Sequence, residues 1–282
     1  MLIIKDVNKK LGDFNLKNIN LELKQGFILG LIGVNGGGKT SLIKLIMNII
    51  SPDSGNIEIF GIENLRKNNK EIKDKIGFVL DEFPFKEYPH LTLSDICDLF
   101  KKVYSNFSEK EFLNLVKELD FPLYTKVKNM SKGQLSKAQI ALALCHKAEL
   151  IVMDEPSSGL DPLVRRKFLA LIRKYVNENN ASAIFSTHIT EDLEGYADYI
   201  SIIDDGRIIK NLMIEDLNDY KVVNLEKNSQ KNIEDFSLIG KEDKDFYIEG
   251  LAYKIEADQN VNVRNANLVD LLYYYHRSNH EK

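Results

Sequence analysis

Polar and apolar residues alternate strictly over Asn18-Ile19-Asn20-Leu21-Glu22-Leu23, the period-two signature of a strand with one buried face. The alternation returns in Asn56-Ile57-Glu58-Ile59-Phe60, directly after the turn cluster Ser51-Pro52-Asp53-Ser54-Gly55. Short apolar runs at Gly26–Ile32, Lys75–Leu80, Leu150–Met153 and Ala183–Phe185 lack it and predict strands buried on both faces. Between His90 and Ala148 the period lengthens. Leu93, Ile96, Leu99, Phe100 and Val103 recur at helical spacing, as do Phe112, Leu115, Val116 and Leu119, which predicts a helical insertion. Tyr199–Ile203, the turn Asp204-Asp205-Gly206-Arg207 and Ile208-Ile209 read as a hairpin closing this core.

After about Leu217 the pattern changes again. Val223 with Leu225, Phe246 with Ile248, Tyr253 with Ile255, and Val261 with Val263 each alternate with polar residues and predict four short strands. A terminal helix near Leu268 to His276 follows.

The chain has 282 residues, 44% hydrophobic and 28% charged, an ordinary globular composition. Its net charge of −4 argues against nucleic acid as a partner, because phosphate backbones bind basic surfaces. No stretch of about 18 apolar residues occurs, so no transmembrane helix is expected. Met1–Asp6 lacks a signal-peptide layout, and Cys97 and Cys145 stand far apart with no metal-ligand spacing. A cytosolic protein with two reduced thiols is the expectation.

The chemistry enters at Gly33-Val34-Asn35-Gly36-Gly37-Gly38-Lys39-Thr40, followed by Ser41. Gly, four residues, then Gly-Lys-Thr is the phosphate-cradling pattern, and here it joins a buried strand to a helix expected over Lys39–Ile50. The glycines let successive N–H groups turn into one concavity. Lys39 reaches the β- and γ-phosphates, the Thr40 hydroxyl suits Mg²⁺, and the helix points its positive end at the anion. A second motif, Leu150-Ile151-Val152-Met153-Asp154-Glu155, ends an apolar strand in two carboxylates. Asp154 suits the metal, and Glu155 suits the general base that polarises an attacking water.

With these two motifs the chain resembles the ATP-binding cassette (ABC) ATPases, and three further segments match that family in order. Met130-Ser131-Lys132-Gly133-Gln134 stands at the signature, Ser157-Ser158-Gly159-Leu160-Asp161-Pro162 at the D-loop, and Ser186-Thr187-His188 at the switch histidine. The resemblance implies an α/β P-loop NTPase fold: a RecA-like core, an antiparallel β subdomain and a helical signature subdomain at about 90–148. It covers residues 1–215 and leaves 216–282 as a small C-terminal α+β accessory domain. It also implies ATP and Mg²⁺, and a second ABC ATPase subunit packed head to tail. Ser131, Lys132, Gly133 and Gln134 would then meet the ATP held by the partner's phosphate loop, His188 would contact the γ-phosphate, and Asp161 would touch the opposite protomer. Ser131 also fits a helix N-cap.

Three positions depart from the family pattern. Asp81, in Ile76-Gly77-Phe78-Val79-Leu80-Asp81, replaces the Q-loop glutamine; as a metal ligand it would add a negative charge beside the phosphates. Leu11 falls where an aromatic stacks on adenine and offers no π face, with Phe14 nearby to compensate. Lys132 replaces a signature glycine.

One phosphate loop and no sustained heptads favour a transporter motor whose membrane permease is a separate chain. The tail Asn262-Val263-Arg264 and Ala266–Leu272 resembles bacterial exporter cassettes that move drugs, antibiotic peptides or lipids. The permease is expected to dock near Phe83, Phe85 and Tyr88, placing the subunit on the cytoplasmic face of the membrane. The alternative is an ATP-dependent regulatory or sensor module with little hydrolysis.

Overall fold

A computed structural model describes residues 1–64, 69–156, 160–227, 236–255 and 261–280. The chain opens with β1 (Leu2–Leu11), β2 (Phe14–Leu23), β3 (Ile28–Ile32), α1 (Lys39–Ile46), β4 (Ser54–Ile59), β5 (Ile62–Glu63), α2 (Asn69–Lys73) and β6 (Ile76–Val79). Three helices follow, α3 (Leu93–Val103), α4 (Glu109–Leu119) and α5 (Lys132–Leu144). Then come β7 (Leu150–Asp154), α6 (Pro162–Asn179), β8 (Ser182–Thr187), α7 (Glu191–Glu194), β9 (Tyr199–Asp204) and β10 (Arg207–Met213). The last elements are β11 (Tyr220–Glu226), β12 (Gly240–Asp243), β13 (Tyr247–Tyr253), β14 (Asn262–Asn265) and α8 (Leu268–His280).

The central sheet runs β10-β9-β3-β8-β7-β6, parallel except for the β9–β10 hairpin. Its strands β3, β7 and β8 are buried along their whole length, as their apolar runs predict. The pleat sends successive residues into different cores. Leu29 and Leu31 join a cluster with Leu42, Ile43, Leu45 and Ile46 of α1 and with the antiparallel sheet β2-β1-β4-β5. Ile28 and Ile32 face the opposite cluster, with Ile140 of α5 and Phe168, Leu169 and Ile172 of α6. A one-residue slip in these strands would exchange the two cores, so their register is fixed from both sides. That register sets where the strand ends, and with them the chemistry, stand.

The helix expected over Lys39–Ile50 stops at Ile46. Asn48 takes a left-handed backbone (φ 53°), a conformation Asn tolerates well, and this turns the chain out of the helix. The helical insertion forms its own cluster around Phe83, Leu93, Phe100, Phe112 and Phe121. Its helices start on side-chain caps: Thr92 with Asp95, Ser108, and Ser131 with Gln134. Cys97 and Cys145 are buried and unpaired with each other; burial pushes the Cys97 thiol up to about 11 and the Cys145 thiol higher still.

The third sheet has the order β12-β13-β11-β14. It corrects the strand assignment read from alternation. Ile248 and Tyr253 belong to one continuous strand, β13, with Phe246 just before it and Ile255 beyond it. The remaining strand is β12, whose residues Gly-Lys-Glu-Asp carry no apolar alternation because it is an exposed edge. One face of this sheet, with Tyr220, Val222 and Leu251, runs into the same core as α6, and Leu268, Leu271 and Tyr274 of α8 fill it further. Each such buried side chain contributes roughly 1.5–3 kcal/mol. Helix α8 extends to His280, one turn past its expected end. Arg264 grips Asp270 in α8 with two bonds of 2.6 and 2.7 Å.

Candidate functional site

The phosphate loop leaves β3 at Ile32 and enters α1 at Lys39. Two glycines show why the sequence is what it is. A Cβ on Gly33 would stand 2.2 Å from the Ile203 carbonyl oxygen of β9. Gly38 sits at φ 113°, a conformation L side chains rarely adopt, with Leu16 2.8 Å from where its Cβ would be. The loop is also held from outside. The Gly206 N–H, in the β9–β10 turn, donates to the Gly37 carbonyl at 3.1 Å.

The Lys39 side chain is only 7% exposed, and its ammonium curls back into the loop. It donates to the Gly33 carbonyl at 2.8 Å and lies 3.9 Å from Glu155 Oε1. Burial lowers its pKa, while the Glu155 and Asp154 charges pull the other way. A cation held mostly by carbonyls and one carboxylate is poised for a second anion.

The strand ends supply the rest. Thr40 Oγ1 donates to Asp154 Oδ1 at 3.3 Å, and Ser186 Oγ donates to the same oxygen at 2.5 Å. Ser186 Oγ also accepts the Glu155 N–H at 3.1 Å, tying the end of β7 to β8. Glu155 adopts a left-handed backbone (φ 47°), an uncommon state for Glu that aims its carboxylate back over the loop. There its Oε2 lies 2.7 Å from His188 Nδ1. A carboxylate fixed between an ammonium and an imidazole, open to solvent on the histidine side, can accept a proton from a water placed against it.

The structure thus brings Lys39, Thr40, Asp154, Glu155 and His188 together. Lys39, Thr40 and Glu155 line an open cleft of about 650 Å³, of a size to take a small-molecule ligand, while Asp154 and His188 are bonded to Thr40 and Glu155. Asn35, Gly36, Gly37, Gly38 and Ser41 line its floor. Leu11 and Phe14 also line the cleft. Ser186, whose hydroxyl organises both acidic residues, was visible in the sequence only as part of the switch segment.

Other candidates stand elsewhere. Asp81 does not join Thr40 and Asp154; its Oδ1 accepts from Lys132 Nζ at 2.8 Å across a second cavity of about 450 Å³. The two opposite charges, at the start of α5 and two residues past β6, pair with each other. Lys132, about half exposed, does not line the phosphate cleft of its own chain. Ser131 is the N-cap of α5, its Oγ accepting the Gln134 N–H while Gln134 Oε1 accepts the Ser131 N–H; Gly133 follows in the first turn. Among the lining residues of the phosphate cleft none comes from this segment. Asp161 caps α6 through the Leu163 and Val164 N–H groups, and Ser157–Gly159 lie outside the described residues.

Of the aromatic trio, Phe83 is buried and Phe85 packs partly against Phe100, whereas Tyr88 is exposed. Phe83 and Phe85 therefore correct the expectation of an exposed aromatic patch: their rings are drawn into the apolar cluster of the helical insertion. Phe83 still lines the Asp81 cavity, with Glu82, Lys86 and Lys128 around it. No motif singles out Gln139. Its buried carboxamide accepts the Leu80 N–H and donates to the Leu80 carbonyl, both at 2.9 Å, clamping α5 to the backbone just before Asp81.

Comparison with known proteins gives this arrangement its relatives. Residues 16–158 match the family model "ABC transporter". The bacitracin transport ATP-binding protein BcrA of Bacillus licheniformis is 33% identical over 215 residues, covering 75% of this chain and 69% of the relative. The linearmycin resistance ATP-binding protein LnrL of Bacillus subtilis (strain 168) is 34% identical over 215 residues, covering 74% and 68%. Among solved structures, the ATP-binding cassette MJ0796, a dimer in a post-hydrolysis state bound to ADP and Pi, superposes with a TM-score of 0.68. It is 26% identical and covers 76% of this chain and 99% of its own.

Proposed function

We propose that this chain, which belongs to the ABC transporter family as an ATP-binding, ATP-hydrolysing subunit, powers the export of a drug, antibiotic peptide or lipid through a separate membrane permease. The observation that carries the catalytic part is the Glu155 carboxylate, fixed 3.9 Å from Lys39 and 2.7 Å from His188 above the phosphate loop. Bacitracin transport and linearmycin resistance in the named relatives support the substrate class.

In this mechanism the loop N–H groups and Lys39 bind the phosphates, with the N-terminus of α1 adding its dipole. Thr40 Oγ1 and Asp154 form an all-oxygen donor pair that carries one charge, which fits Mg²⁺, and they would hold it. Bound there, the ion supplies charge neutralisation on the phosphates. Glu155 takes the proton of the attacking water as its oxygen bonds the γ-phosphorus and the bond from that phosphorus to the β–γ bridging oxygen breaks, leaving ADP and phosphate; His188 orients Glu155 and meets the γ-phosphate. The cleft takes no lining residue from Ser131 or the first turn of α5. A second copy or a homologous cassette, packed head to tail, brings that helix N-terminus onto the γ-phosphate, with Asp161 at the shared surface. ATP then holds two cassettes together, and hydrolysis separates them.

Residues 1–215 form the ATPase unit in this proposal, with the helical subdomain at about 90–148, and 216–282 the accessory unit. The permease docks at the Asp81 cavity, where acidic, basic and aromatic groups surround a recess and Tyr88 stands exposed beside it. That seats the subunit on the cytoplasmic face of the membrane; among the described residues no helix is long and apolar enough to cross it.

The test is ATP turnover and transport by the purified complex, beside a Glu155→Gln variant. Turnover and export that collapse together, with ATP binding and ATP-driven pairing retained, are the expected result. Equal, negligible turnover in both proteins would favour the sensor module instead.

A further inference from the structure

The face of α8 turned toward the central sheet carries chemistry that the ATPase does not use. Three of its side chains converge on one carboxylate oxygen. His276 Nδ1, Asn279 Nδ2 and His280 Nε2 each lie 3.0 Å from Asp204 Oδ2. Asp204 closes β9 and its side chain is 3% exposed, while the two histidines stand one helical turn apart and remain open to solvent at 40% and 50%. The two imidazole nitrogens and the carboxylate oxygen all lie within 4.8 Å of one another.

We propose that Asp204, His276 and His280 form a binding site for one divalent transition-metal ion of the zinc type, which clamps α8 to the β9–β10 turn. The donor set decides the class. Two imidazoles and one carboxylate suit Zn²⁺, Co²⁺ or Ni²⁺, whereas Ca²⁺ and Mg²⁺ favour oxygen ligands throughout. The spacing decides the fit. A tetrahedral ion bound at about 2.0–2.1 Å keeps its ligand atoms about 3.3 Å apart, close to the 3.0 Å now spanned by hydrogen bonds. The ion replaces those hydrogen bonds with small rotations of the two rings. A fourth position is left for solvent, on the side where His280 is open.

The position gives the site a consequence. Asp204 lies between Ile203, whose carbonyl backs Gly33, and the turn whose Gly206 N–H holds Gly37. Bound metal therefore ties the C-terminal helix to the outer support of the phosphate loop. The site is distinct from the Mg²⁺ pair Thr40 and Asp154, and it stands whether or not the chain is an exporter.

The experiment uses the full chain, stripped with chelator and free of nucleotide and Mg²⁺, titrated with Co²⁺ and followed by visible absorption. One equivalent of Co²⁺ should give a tetrahedral-type d–d band that Zn²⁺ bleaches, and Zn²⁺ should raise the unfolding temperature. In His280→Gln, an open position that should leave folding intact, Co²⁺ affinity should fall by at least about tenfold, the lower bound set by loss of an outer-shell partner. His276→Gln with His280→Gln should abolish the band, while ATP turnover with Mg²⁺ persists. The proposal is overturned if no band appears at one equivalent, or if the double variant binds Co²⁺ as tightly as the parent; the cluster is then a hydrogen-bonded contact alone.

Discussion

The phosphate cleft and the Asp81–Lys132 cavity are built in opposite ways. In the cleft, Asp154, Glu155 and His188 stand at or just past the ends of strands buried on both faces and Lys39 opens α1, and each has a bonded neighbour: Asp154 has Ser186 and Thr40, Glu155 has His188, Lys39 has the loop carbonyls. In the cavity, the central ion pair is about half exposed on both sides, and Ser131 beside it spends its hydrogen bonds on its own helix. An exposed pair of this kind contributes ~0–1 kcal/mol. The first region is organised by the core, whereas the second is closed only by an exposed ion pair.

That contrast can be broken by substitution. Glu155→Gln attacks the finished region, keeping shape and removing the base; ATP turnover should fall about 10²–10⁴-fold in a phosphate-release assay, while ATP binding by equilibrium dialysis is retained. Gly33→Ala places a methyl 2.2 Å from the Ile203 carbonyl, so urea unfolding should show a loss of about 1–3 kcal/mol together with lost ATP binding. Ser131→Ala removes the cap of α5 and should cost about 1 kcal/mol in the same assay. It should also weaken ATP-driven pairing, measured by light scattering in the Glu155→Gln background. Lys132→Ala should change stability by less than about 1 kcal/mol and leave ATP binding intact. A large loss there would mean that the cavity is as rigid as the cleft, and the contrast would disappear.

The sequence made the two regions legible to different degrees for the same reason. A strand buried on both faces announces itself as an apolar run; Lys39 could be placed from the glycine-rich loop after one such run and Asp154 and Glu155 from the end of another, whereas His188 was placed by the resemblance to the ABC ATPases. Helix α5 likewise begins where Ser131 and Gln134 predict a cap. Contacts between distant segments leave no such local trace. The Lys132–Asp81 pair joins residues 51 apart in the chain, and the Gln139–Leu80 clamp joins residues 59 apart. The edge strand β12 escaped notice because Gly240–Asp243 has no apolar face to alternate. The aromatic residues Phe83 and Phe85 looked like surface from a polar loop, yet the helices supplied an apolar cluster for their rings.

Strand β6 lies on the outer edge of the central sheet, and its paired register ends at Val79. One residue later, the carboxamide of Gln139 imitates the neighbour that is missing, offering an oxygen and a nitrogen as another strand would. The helix that begins at Ser131 is thereby spliced into the sheet as if it were an additional strand for a single residue. Leu80 is thus held to α5 by both sides of one carboxamide, and the recess at Asp81, which Lys132, Leu135 and Ser136 of the same helix also line, is built as one piece with it.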